Sequence, residues 1–161
     1  KARLRLHAIQ ALADRVRKSG PSTADFQRTF RQSYWAALIG SSIVAHEGRH
    51  VLDQMSFQGD CALADDELEY RAKLSEIRFA LLPRLALSSI YSPLFRGTSG
   101  HGRANRKLFT EYAEWIEEHP DSVEHFDPTL TPLEQLDRLS DSQFVMIAGS
   151  LEPKKTTCPH G

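Results

Sequence analysis

Long hydrophobic runs and a strong charge of one sign are both absent from this chain. No apolar stretch approaches the roughly 20 residues that a transmembrane helix needs. The formal net charge is −1, although 25% of the residues are charged. Nothing therefore indicates a general nucleic-acid binder or a protein of the membrane surface. We expect no nucleic-acid partner and no membrane-spanning segment.

Motifs of several other protein classes are missing as well. The chain has no internal repeat, no low-complexity tract, no glycine-rich phosphate loop and no Gly-x-Ser-x-Gly nucleophile elbow. Its two cysteines, Cys61 and Cys158, do not fix the compartment, since they could pair in an oxidising space or remain thiols in a reducing one. The chain begins at Lys1 without an initiator methionine, so we expect a processed protein or an excised domain.

Helical periodicity dominates what is present, and 161 residues suffice for one compact domain with a core. We predict a mainly α single domain of six or seven helices over residues 1–152, with a polar C-terminal tail at 153–161. A short strand is the alternative for residues 34–39, and Gly40 and Ser41 predict a break after it. In the first helix, apolar spacing predicts a buried stripe made of Ala2, Leu6, Ile9, Ala13 and Val16.

One stretch carries a chemical pattern. Residues 43–52 read Ile-Val-Ala-His-Glu-Gly-Arg-His-Val-Leu and contain His-Glu-x-x-His. In a helix, His46 and His50 lie on one face, one turn apart, so both could bind one metal ion at the ~2.0–2.1 Å typical of zinc–imidazole bonds. Glu47 lies beside His46 and can reach a water on the metal. Two ligands and one general base on a single turn are typical of a zinc hydrolase.

The residues around the motif include signals both for and against a helix. Ser41 or Ser42 can cap its start, whereas Gly48 costs a helix ~1 kcal/mol relative to alanine. Asp53 follows His50 by three positions. It could orient a ligand histidine from behind, although an exposed acid at a helix end is an equal alternative. The competing interpretation of the whole stretch is an ordinary amphipathic helix with two polar histidines.

Residues 46–50 resemble the active-site helix of the zincin metallopeptidases, and the resemblance extends from about Ile43 to Ala80, a minority of the chain. Zincin motifs usually carry an uncharged residue where this chain has Arg49. The resemblance implies a catalytic zinc with a third protein ligand, an open position for water, and a peptide or protein substrate. It also implies that Glu47 takes the proton of the attacking water and delivers it to the leaving amine.

The third ligand is assigned from the gluzincin branch of that family, where it is a glutamate on a later helix, often followed three residues on by a small residue. Glu69 lies nineteen positions after His50, with Ala72 as the small residue. Glu76 shares the same helix face and is the reserve ligand. The alternative is that these carboxylates are solvated charges near a helix start. The metzincin pattern would need a third histidine soon after His50, whereas the next one is His101.

A loop predicted over residues 92–102 supplies the remaining candidate. Residues 96–103 place three glycines around His101. Zinc peptidases commonly add a histidine or tyrosine that donates to the oxyanion, so His101 is the candidate for that role, with Tyr91 and Tyr70 behind it. Arg103 could hold a substrate carboxylate. The alternative is a flexible loop in which His101 merely precedes or caps the helix predicted over residues 104–118.

Taken together, the sequence predicts a zinc-dependent metallopeptidase. Zinc is held by His46, His50 and Glu69, with Glu47 as the general base and His101 as a further catalytic residue. The first alternative is a catalytically inactive zincin-like protein that binds zinc or a partner. The second is a metal-free helical interaction module.

Overall fold

The computed structural model describes residues 2–91 and 97–153, and the regular structure within them is entirely helical. Within these two ranges the chain forms seven α-helices: α1 (Ala2–Lys18), α2 (Thr23–Leu38), α3 (Gly48–Ser56), α4 (Asp65–Arg78), α5 (Pro83–Ile90), α6 (Gly100–Glu118) and α7 (Asp141–Ser150). A π-helical segment, Ile39–Glu47, joins α2 to α3, and 3-10 helices lie at Gly59–Cys61, Pro120–Ser122 and Pro132–Arg138. The predicted helical class is confirmed, and the strand alternative for residues 34–39 is wrong because they continue α2 into the π segment.

The centre of the fold is α4, which packs against α3, α5, α6, α7 and the π segment. Eight consecutive residues of α4, from Tyr70 to Ile77, are buried. Helical spacing along the sequence predicts one apolar face made of Tyr70, Leu74, Ile77 and Leu81. The first three lie in the main core together with residues of α5, α6 and α7. The prediction is wrong for Leu81, which lies beyond the end of α4 and is 51% exposed. Because α4 is surrounded, its polar side chains are buried too and need polar or charged partners.

The helix α1 buries a different face from the one predicted. Leu4, Ala8, Leu12 and Val16 are buried, whereas Leu6 is 63% exposed and Ile9 is exposed as well. Both sets of residues repeat at helical spacing, so periodicity alone could not distinguish them. The choice is made by the neighbours α2 and α5, which α1 contacts along the Ala8 and Leu12 side.

The predicted break at Gly40 and Ser41 is wrong. The backbone stays in the right-handed helical region at both ends of the π segment, so α2, the π segment and α3 form one continuous helix over residues 23–56, here called the long helix. Ser41 does not cap a helix; its hydroxyl donates to the carbonyl of Ala37 at 2.9 Å. Gly40 has a negative φ, so it offers no turn and the helix passes through it.

Several helix starts follow from their capping residues. Ser22 caps α2 by accepting from the Asp25 amide, and Thr131 and Ser140 form capping boxes at the Pro132–Arg138 helix and at α7. The helix that Thr131 opens is a 3-10 helix. None of the helices in the described ranges is long and apolar enough to cross a membrane. Cys158 and the rest of the predicted tail from residue 154 lie outside the described residues, as does the 92–96 part of the predicted loop.

Candidate metal centre

The two histidines of the motif meet at the junction of the π segment and α3. His46 is the last but one residue of the π segment and is buried, while His50 lies one turn further on in α3 and is half-buried. Their ring centroids are 5.0 Å apart and the rings meet edge to face. The helical placement expected from the spacing of the motif is therefore present, and both rings face α4.

Glu69 on α4 lies opposite this pair. Its Oε2 is 3.6 Å from His46 Nε2, and its Oε1 is 3.5 Å from His50 Nε2. One donor atom from each of the three residues lies within 4.8 Å of the other two. Two ligands of a tetrahedral zinc with bonds of ~2.0–2.1 Å are about 3.3–3.4 Å apart, so the two histidine–glutamate distances are close to those of a zinc site.

The Oε2 atom of Glu69 is buried and lies close to three side-chain nitrogens. Nitrogens of His46 and Lys73 lie 3.6 Å away, and His101 Nδ1 lies 2.6 Å away. These contacts already offset part of the charge of the buried carboxylate, and a metal ion bound among the same atoms would add to them. The donor set of two imidazoles and one carboxylate is one that catalytic zinc sites use.

Glu76 contacts the other nitrogen of His46. Its Oε2 lies 3.2 Å from His46 Nδ1, and its Oε1 accepts a hydrogen bond of 3.2 Å from the Ser89 hydroxyl. A carboxylate at Nδ1 holds the proton on that nitrogen and leaves Nε2 available as a ligand. Glu76, the reserve ligand in the sequence analysis, is thus placed to orient a ligand rather than to stand among the three convergent donors.

Lys73 completes the charged face of α4. It is buried, it lies one turn after Glu69 and about one turn before Glu76, and its ammonium is 3.6 Å from Glu69 Oε2. Burial lowers the pKa of Lys73, while the charges of Glu69 and Glu76 oppose that shift. Sequence reasoning missed Lys73 and Ser89. The helical spacing of Lys73 from the two glutamates was the available signal, whereas Ser89 comes from a different helix and gave none.

An open hollow of ≈ 550 Å³ lies beside the three donors. It is lined by His46, Glu47, His50, Gln54, Asp65, Leu68, Glu69, Gly100 and His101. Glu47 is exposed, and its carboxylate forms no hydrogen bond or ion pair with any residue in the described ranges. The candidate general base therefore faces the open hollow while the ligands form its wall.

His101 also reaches this hollow, but from a helix rather than from the predicted loop. It lies in the first turn of α6, which begins at Gly100 instead of residue 104. A Cβ atom on Gly100 would lie 3.2 Å from Asp65 Cβ, so the glycine allows the start of α6 to approach the start of α4 closely. This approach brings His101 Nδ1 to Glu69. The catalytic role of His101 stays a prediction.

The other residues considered for the site lie elsewhere. Tyr70 is in the core and donates to Glu111, and Tyr91 packs edge to face on Phe109. Arg103 pairs with Asp66 at 3.1 Å, a contact that ties α6 to α4. A larger hollow of ≈ 710 Å³ adjoins Tyr91 and Phe109, but no histidine is among its described lining residues. The candidate ligands His46, His50 and Glu69 line the hollow of ≈ 550 Å³ instead.

Asp53 and Arg49 form ion pairs that hold neighbouring elements together. Asp53 is only 3% exposed and accepts two hydrogen bonds from Arg71, at 2.8 and 3.0 Å, and one from Arg49 at 2.9 Å. It neither orients a ligand histidine nor lies exposed, so both expectations are wrong. Arg49 also donates to Glu152 at 2.6 Å. Arg49 thus holds the long helix to the chain after α7, while Arg71 holds it to α4 through Asp53.

No family model, curated protein or solved structure matches this chain. The zincin resemblance rests on the motif at residues 46–50 and on the assignment of Glu69.

Proposed function

We propose that this chain is a zinc-dependent metallopeptidase that hydrolyses peptide bonds. One observation carries the proposal: donor atoms of His46, His50 and Glu69 lie within 4.8 Å of one another in the wall of an open hollow that Glu47 also lines. Three protein ligands with one open side are typical of catalytic rather than structural zinc sites, which are closed by four protein ligands.

Each residue of the hollow has a role in this proposal. Zinc, when bound, supplies Lewis acidity and lowers the pKa of a water toward ~7. Glu47 accepts the proton of the attacking water and passes it to the leaving amine. His101 donates to the carbonyl oxygen of the substrate as negative charge develops there. Glu76 holds the His46 ring with Nε2 directed to the ligand position.

The test combines metal analysis with the substitution Glu47→Gln, which keeps the size of the side chain and removes its basicity. We expect stoichiometric zinc in both proteins and hydrolysis of a broad peptide library by the wild type alone. Glu118→Gln, at an exposed position at the end of α6, is the matched control and should behave as the wild type. A zinc-loaded wild-type protein that cleaves no peptide in the library would overturn the proposal.

A second candidate is a zincin-like protein that binds zinc or a partner without cleaving it. It is favoured by the lack of a strand beside the hollow in the described part of the chain, because zincin active sites usually hold an extended substrate against a strand edge. Like the metallopeptidase, the zinc-binding form of this second candidate would contain zinc. Unlike the metallopeptidase, it would hydrolyse no peptide, and Glu47→Gln would have no effect. A protein without zinc would leave only the metal-free interaction module.

A further inference from the structure

Exposed apolar side chains follow the long helix at intervals of four residues. They are Trp35, Ile39, Ile43, Val51 and Met55, here called the apolar row, and they are between 48% and 70% exposed. The position missing from this four-residue series is 47, which holds the candidate general base. Val44 and Leu52 lie alongside the row and are exposed too. Glu47 is therefore flanked by apolar side chains on both sides along the helix.

The π segment keeps the row on one side of the helix. In an α-helix a step of four residues turns about 40° past a full turn, so five such steps would drift by about 200°. A π-helix has about 4.4 residues per turn, and a step of four falls about 30° short of a full turn. Because Ile39–Glu47 contributes two of the five steps, the net drift falls to about 60°.

The exposed positions of the long helix beside the row carry almost no charge. From residue 35 to residue 56 of the long helix, Glu47 is the only charged residue among the exposed positions. Single exposed apolar residues are normal, whereas a contiguous apolar strip on a soluble domain marks a binding surface. A charged segment would lose its hydration there without gaining a partner, so the surface selects apolar chains.

We propose that the apolar row binds an apolar polypeptide segment whose scissile bond lies at Glu47. The inference rests on the proposed function and names its substrate class: peptides with apolar side chains on both sides of the cleaved bond. A second copy of this chain packed along the row would cover Glu47 and one side of the hollow. If Glu47 is to act as a base while the row is occupied, the bound segment must itself be the substrate.

The test uses two ten-residue peptides of equal length and net charge, one with leucine and valine flanking the central bond and one with serine and asparagine there. Cleavage is followed by mass spectrometry, and binding to the zinc-loaded Glu47→Gln protein by calorimetry. The variants are Ile43→Gln and Val51→Gln. Leu6→Gln is the matched control, since Leu6 is 63% exposed on α1 and lies outside the row.

We expect kcat/KM for the apolar peptide to exceed that for the polar one by about tenfold or more, and each row variant to lose about tenfold on the apolar peptide with unchanged zinc content. The Leu6→Gln protein should match the wild type. Binding of the apolar peptide to the Glu47→Gln protein should weaken when Ile43→Gln is added.

Cleavage of both peptides at equal rates, with row variants no different from Leu6→Gln, would overturn the inference and leave the metallopeptidase proposal in place. If neither peptide nor any library member were cleaved, the proposed function would fail first. Dimerisation lost in the row variants, or row-dependent binding to phosphatidylcholine vesicles, would assign the row to a second copy or a membrane surface and would also overturn it.

Discussion

The Oε2 atom of Glu76 lies 3.2 Å from the Nδ1 atom of His46, while Nε2 of the same ring faces Glu69. The two glutamates belong to α4 and are seven residues apart, so they point the same way two turns from each other. One buried helix thus supplies both a candidate ligand and the group that orients another ligand. The geometry of the centre depends on how α4 is packed.

Glu76→Gln should weaken zinc binding by about 10- to 100-fold while leaving the fold intact. The amide keeps the size of the side chain but loses the charge that favours a proton on His46 Nδ1. The affinity is measured by competition with a chromophoric chelator. Glu117→Gln, on the exposed face of α6, is the control. Equal affinities for the two variants would contradict the orienting role of Glu76.

His50→Ala should lose stoichiometric zinc, because it removes one of the three convergent donors and leaves a two-ligand site. Metal content is determined on purified protein by atomic emission or mass spectrometry. His7→Ala, at an exposed position of α1, should keep its zinc. Stoichiometric zinc in the His50→Ala protein would refute the ligand assignment.

Gly48→Ala should stabilise the protein by up to ~1 kcal/mol, or about 2–4 °C in Tm. Gly48 is helical, with φ of −59°, and a Cβ atom there would meet nothing within 4 Å. Thermal unfolding is followed by circular dichroism with and without chelator. The gain should be the same in both conditions, because the methyl group lies away from the donor atoms. A lower Tm would show that the glycine has a role in the site.

Asp53→Ala should destabilise the fold by about 3–5 kcal/mol, the cost of leaving one partner of a buried ion pair uncompensated. Asp53 is 3% exposed and Arg71, which donates two hydrogen bonds to it, is 5% exposed. Urea denaturation gives the change in unfolding free energy. Asp66→Ala breaks the exposed pair with Arg103 and should change stability little. A loss no greater for Asp53→Ala than for Asp66→Ala would contradict the structural role given to Asp53.

Local signals predicted much of the fold. The caps at Ser22 and Ser140 and the burial of Tyr70, Leu74 and Ile77 depend on a few neighbouring residues. Leu81 continues the same helical spacing but is 51% exposed, because α4 ends before it. The continuity of the long helix through Gly40 was not predictable in this way. A glycine next to a serine weakens a helix, but packing of the π segment on α4 decides whether the helix continues.

The residues of the candidate site also differ in whether local sequence could predict them. The spacing of His46 and His50 depends on one helix, and it was readable from the sequence. Glu69 came from the zincin resemblance, and the structure brings it to the pair. The contacts from Glu76 to His46 and from Ser89 to Glu76 join three separate elements, so they depend on tertiary packing. Asp53 is buried against Arg71 of α4, and no local sequence pattern indicated this contact.

The close approach of the start of α6 to the start of α4 can be tested at Gly100. Gly100→Ala places a Cβ atom 3.2 Å from Asp65 Cβ and 3.4 Å from its carbonyl carbon, so the start of α6 must shift by a few tenths of an ångström. His101 follows Gly100 directly and would move from its position at Glu69. We expect kcat to fall up to roughly tenfold with zinc retained, since small displacements of catalytic groups are costly.

The matched control for that shift is Gly97→Ala, where an added Cβ atom meets nothing within 4 Å. The His101→Ala protein should lose at least as much activity as Gly100→Ala and should also keep its zinc, because His101 is outside the three convergent donors. The measurements are kcat and metal content on the same preparations. If the Gly100→Ala and His101→Ala proteins both turn over as fast as Gly97→Ala, the donor role of His101 is wrong. If they lose zinc instead, His101 belongs to the ligand set, because its Nδ1 already lies 2.6 Å from Glu69 Oε2.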